Sequence, residues 1–171
     1  MEIEKLAGLP AHPLFVHLPV VVVPLAASGA LILAVFPRFI AKWGWWVVGA
    51  AGVGALGAIL AAGSGEALEE SVRETDAIER HVELGEMARN VSLVLFVVVL
   101  ALMVARKVLA AGRFRTVAAS IVVAAVSVGA VVTIANAGHT GAESVWSDRI
   151  ENGSEGEPDH SGGDGRYDDS D

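Results

Sequence analysis

Residues 14–36 read LFVHLPVVVVPLAASGALILAVF, a run without a charge whose only polar side chains are His17 and Ser28. A helix of about 20 such residues, rising 1.5 Å per residue, crosses the roughly 30 Å of hydrocarbon in a bilayer. Three more apolar stretches of this kind follow, at residues 45–62, 87–104 and 117–137. A chain of 171 residues fits one domain, but a hydrophobic content of 53% exceeds that of ordinary soluble folds. The expected fold is all-α, a four-helix transmembrane bundle over residues 14–146. An outer N-terminal segment, 1–13, precedes it, and a disordered acidic tail rich in Gly, Ser, Asp and Glu, 147–171, follows. The first span reads as retained: Glu2 and Glu4 oppose Lys5 in its flank, and the apolar run is longer than a signal-peptide core.

The charges partition along the chain. The connection between spans one and two carries Arg38 and Lys42 without an acid, and that between spans three and four carries Arg106, Lys107, Arg113 and Arg115, again without one. By the positive-inside bias these are cytoplasmic loops, so both termini and the middle loop are expected outside a cell-membrane protein that crosses four times. All 20 acidic residues lie in the segments so placed outside. Trp43, Trp45 and Trp46 suit an aromatic belt at the inner interface, and Trp146 suits the outer one.

Helix packing is expected to rest on small residues. In span two, Ala50, Gly54, Ala58 and Ala62 recur every fourth position beside a second row of Gly57, Ala61 and Gly65. Such rows let backbones approach where lipid removes any hydrophobic drive between helices. They also leave room for a flat ring or for homo-oligomerisation. Span one carries Pro19 and Pro24, each of which removes a backbone donor. Thr75 before Asp76, and Ser71 before Glu74, are candidate caps that would start the third helix near Asp76, above the membrane.

Four of the five histidines, His12, His17, His81 and His139, fall where spans begin or end, and the topology puts them on one membrane face. Imidazole is the commonest transition-metal ligand and an axial ligand to haem iron, so this cluster is the candidate site. His17 and His139 are the first expected ligands, then His81 and last His12, with Gly85 and Gly138 giving a ring clearance. A metal ion instead of haem b would need three or four donors from His17, His139, His81, His12, Glu66 and Glu143. The absence of cysteine excludes thiolate sites, iron-sulfur clusters and covalent haem attachment. Apart from Arg89, no charge interrupts a span, which disfavours an ion-coupled transporter. No phosphate loop, nucleophile elbow or zinc-protease motif points to an enzyme. The expected partners are the lipid bilayer and a redox or membrane protein, with no nucleic acid. A cofactor-free structural or assembly subunit is the alternative.

The element His12, Pro13, Leu14, Phe15, Val16, His17, Leu18, Pro19, a Gly/Ala-rich second helix, His81 with Leu84 and Gly85, and the closing Gly138, His139, Thr140, Gly141, Ala142 resemble a known family. It is the bacterial and archaeal membrane family catalogued as domain of unknown function 2231, and the resemblance covers about residues 10–147. It implies a small four-helix membrane protein. Because some members are joined to cytochrome c-like or iron-sulfur modules, it also implies redox use of a cofactor. This chain carries no such module, and Val145-Trp146 stands where the resemblance leads one to expect Val-Tyr.

Overall fold

A computed structural model describes residues 5–6, 9–10, 12–69, 75–108 and 113–154. Four helices make up nearly all of it: α1 (His12–Val35), α2 (Ile40–Glu69), α3 (Asp76–Val108) and α4 (Arg113–Ser154). A 3-10 turn, Pro37–Phe39, joins α1 to α2, and a two-residue antiparallel pair, Lys5–Leu6 with Leu9–Pro10, precedes α1. The fold is the all-α bundle expected. Each helix is long and apolar enough to cross a membrane, over His12–Val35, Pro37–Glu66, Ile78–Arg106 and Thr116–Glu143.

The helices overrun the apolar stretches at the end that holds the histidines. α3 begins at Asp76 because Thr75 caps it: its hydroxyl accepts from the Ile78 N–H at 3.3 Å, and its carbonyl accepts from the Glu79 N–H at 3.0 Å. The Ser71 and Glu74 cap lies outside the described residues. α4 continues to Ser154, into the stretch expected to be tail, while residues 155–171, with His160, lie outside the described residues.

The chain runs up, down, up and down. The start of α1 meets the end of α2 through His12 and Ala61, and the start of α3 meets the end of α4 through His81 and Thr140. At the opposite end, Ser120 early in α4 donates to the Ala34 carbonyl of α1 at 3.0 Å. α1 packs on α2 and α4, α3 packs on the same two, and α1 and α3 oppose each other across a diagonal.

The contact between α1 and α2 is rich in small side chains, and larger apolar residues cover much of the exterior. Ala26, Ala27 and Ala30 of α1 and Ala51, Ala55, Ala58 and Ala61 of α2 are buried, whereas Val21, Leu25, Trp46 and Val97 face outward. α1 and α2 approach most closely at Gly54 and Gly57. A Cβ at Gly54 would stand 2.8 Å from Val23 Cγ2 and 3.3 Å from the Val23 backbone nitrogen, and one at Gly57 would stand 2.9 Å from Leu18 Cδ2. α1 remains one helix through Pro19 and Pro24, with Pro19 buried in the contact with α2. Two buried hydroxyls bond back to their own helix, Ser92 to Ala88 at 2.7 Å and Thr133 to Gly129 at 3.0 Å.

Candidate functional site

Where α1 and α3 begin and α2 and α4 end, the packing opens into a cavity of about 550 Å³. That size lies within the range of roughly 300–1,000 Å³ usual for small-molecule and cofactor sites. All four helices line it. α1 supplies His12 and Val16, α2 Ala61 and Gly65, α3 His81 and Gly85, and α4 Gly138 and Gly141. The walls are mostly apolar, and the polar groups are the two imidazoles and a trio of charges.

Those imidazoles face each other across the diagonal, with ring centroids 6.1 Å apart and planes at 81°. Both rings are half-buried. His12 Nδ1 lies 2.9 Å from the Ala61 carbonyl oxygen. A carbonyl can only accept, so Nδ1 donates, and Nε2 is the nitrogen that holds the lone pair in the neutral ring. Ser64 reinforces this arrangement: its hydroxyl donates to the same carbonyl at 3.0 Å and so presents only lone pairs to His12 Nδ1, 3.5 Å away.

His81 is held by the same logic on the opposite helix. Its Nδ1 lies 3.4 Å from Thr140 Oγ1, whose own proton is directed at the Asn136 and Ala137 carbonyls, 3.1 and 3.2 Å away. The threonine oxygen therefore accepts, His81 Nδ1 donates, and Nε2 is again the basic nitrogen. This is the outer-sphere pattern that orients metal-ligating histidines, in which one ring nitrogen donates to an oxygen and the other binds.

The charged trio sits on the cavity wall. Arg89 of α3 reaches Glu66 of α2 at 3.6 Å and Glu86 of its own helix at 3.7 Å. It ties α2 to α3.

The structure does not bring all the expected ligands together. His17 is exposed, with Nδ1 on the Pro13 carbonyl of its own helix, and it does not line the cavity. His139 is also outside: its side chain is 81% exposed and sits 3.9 Å from Glu143. The reason is helical phase. At about 100° per residue, His17 points roughly 140° away from His12, so α1 can turn only one of them inward. His139 is likewise rotated off the face of Gly138 and Gly141. Depth along the chain placed four histidines together, whereas direction around the helices selects His12 and His81.

Gly85 and Gly138 do line the cavity, and a Cβ at either would meet nothing within 4 Å. The six residues considered as metal-ion donors do not converge: among the described residues, no group of three His, Cys, Asp or Glu is placed to hold a metal ion. Sequence reasoning missed the orienting roles of Ser64 and Thr140. Their signal was faint, a hydroxyl near the end of each of the two helices that flank the histidine helices.

A family model described as "Predicted membrane protein (DUF2231)" matches residues 8–154. Comparison with curated proteins and with solved structures found no match.

Proposed function

The chain belongs to the DUF2231 family of predicted membrane proteins, and from that premise we propose that this polytopic protein holds haem b between His12 and His81 for electron transfer. The observation that carries the reading is the imidazole pair on the cavity, 6.1 Å between centroids, with each Nδ1 committed to an oxygen. His12 and His81 would hold the haem iron through their Nε2 atoms, the nitrogens left free by the bonds at Nδ1.

The residues present fit a ring better than a bare ion. Among the described residues no third donor joins the two imidazoles, which suits haem, where the macrocycle supplies the other four nitrogens, and falls short of the three or four that zinc or copper requires. The ring carriers, α1 and α3, oppose each other, while α2 and α4 line the remaining sides with Ala61, Gly65, Gly138 and Gly141. Small residues there leave space for a flat molecule. When bound, haem would supply a reversible one-electron couple. The protein's part is to fix two imidazoles, exclude water with apolar walls and keep the site near one membrane surface. The charge bias of the loops supports the outer surface.

The test is purification in detergent from cells supplied with haem. The expected result is stoichiometric haem with the absorption of a six-coordinate, low-spin iron that cycles reversibly between ferric and ferrous. A preparation that folds but shows no Soret band after haem reconstitution overturns the reading and leaves the cofactor-free packing role.

A further inference from the structure

Four glycines line the cavity, and they divide into two kinds. At Gly85 and Gly138 an added Cβ would enter open space. At Gly141 it would stand 2.8 Å from His81 Cε1 and 3.3 Å from its Nδ1, and at Gly65 it would stand 3.2 Å from both Cε1 and Nδ1 of His12. Real Cβ atoms are not found at the first of these distances, so the His81 ring would have to turn.

Each of these two glycines accompanies the acceptor that holds the same ring. On α2, Ala61 offers its carbonyl to His12 and Gly65, one turn later, lies flat against the Cε1–Nδ1 edge. On α4, Thr140 offers its hydroxyl oxygen to His81 and the adjacent Gly141 lies against the Cε1 edge. One contact fixes the nitrogen, and the other limits rotation about it. The same pair of devices thus occurs on opposite helices, once for each imidazole. We propose that Gly65 and Gly141 are positioning residues that set the angle between the two imidazole planes, now 81°. The inference rests on the imidazole pair described above but not on what the pair holds.

That angle has a chemical consequence. In a low-spin ferric iron with two imidazole ligands, the relative orientation of the ring planes sets the splitting of the iron d orbitals. Near-perpendicular planes give a strongly anisotropic electron paramagnetic resonance signal, and planes turned toward parallel give a narrower one. Gly141→Ala and Gly65→Ala would change this angle, whereas Gly85→Ala and Gly138→Ala are the same chemical change made into empty space.

The experiment uses the full chain in detergent, without and with haem, and compares the four variants. In haem-free protein labelled on histidine, Gly141→Ala is expected to move the Cε1–H resonance of His81, and Gly65→Ala that of His12. After haem addition, both are expected to change the resonance anisotropy and to weaken binding by about tenfold, the scale of other outer-sphere changes at metal sites. Gly85→Ala and Gly138→Ala, whose added methyls meet neither ring, should leave the haem-free His12 and His81 resonances as in the wild type. Should Gly141→Ala not fold, the milder Gly65→Ala contact decides the matter. Wild-type ring resonances in both Gly141→Ala and Gly65→Ala overturn the inference. A wild type that takes up no haem overturns the proposed function instead, and the haem-free resonances still decide the role of the glycines.

Discussion

At mid-bundle a methyl added to Gly54 would press on Val23 at 2.8 Å and on its backbone at 3.3 Å, while at the cavity end a methyl added to Gly138 would touch nothing within 4 Å. Both glycines lie in apolar helices, and both belong to runs of small residues that look alike in the sequence. Their uses are opposite. Gly54 and Gly57 bring the backbones of α1 and α2 together, the membrane substitute for a hydrophobic drive. Gly85 and Gly138 keep helices that are already apart from filling the space between them. The difference teaches that a glycine row in a membrane helix carries two readings, and that only the neighbouring helix decides which applies.

The sharpest way to break this comparison is to make one substitution at both sites. Gly54→Leu should prevent assembly, because backbone atoms of α1 cannot yield; it is expected to give little folded protein by size exclusion in detergent. Even Gly54→Ala should cost about 1–3 kcal/mol, as overpacking a tight contact does. Gly138→Leu should fold at least as well as the wild type, since leucine is a better helix former than glycine by up to about 1 kcal/mol. It should nonetheless take up no haem, its side chain standing in the cavity. A Gly54→Leu protein that folds normally would contradict the close-contact reading.

A smaller effect is expected from the acceptors. Thr140→Val keeps the shape of the residue but removes the oxygen that holds His81 Nδ1, and should weaken haem binding about 10–100-fold without changing the thermal melt of the haem-free protein. Acid should act at the same atoms. Iron competes with a proton for each Nε2, so affinity is expected to fall on acidification. A haem affinity that is constant from neutral to acid pH would contradict coordination by nitrogen. The least effect belongs to the packed region. Ser127 Oγ is fully buried, with no hydrogen-bond partner among the described residues, so Ser127→Ala should be neutral or slightly stabilising in a chemical melt.

Much of the architecture was legible because membrane spans are written in one dimension. Uncharged runs of sufficient length announced four helices, and Thr75 before Asp76 announced where α3 begins. The end of the bundle that holds the cavity was legible for the same reason, since depth is simply position along a helix. Azimuth was not. In a membrane helix small and large apolar residues alternate without the polar stripe that marks the outer face of a soluble helix. Nothing in the local pattern therefore showed that His12 turns inward and His17 outward. The family motif includes both and does not separate them. His81 was legible in part, because Gly85, Ala88 and Ser92 follow it on one face, and those residues do line the cavity or the core beneath it. Ser64 and Thr140 were hidden because a hydroxyl acts here through a partner on another helix.

The selection of His12 and His81 over His17 and His139 is the central claim, and paired double variants test it most directly. Haem titration of the His17→Ala/His139→Ala protein should give the wild-type low-spin spectrum and affinity, whereas the His12→Ala/His81→Ala protein should give none. Loss of the spectrum in the first protein with retention in the second would contradict the account.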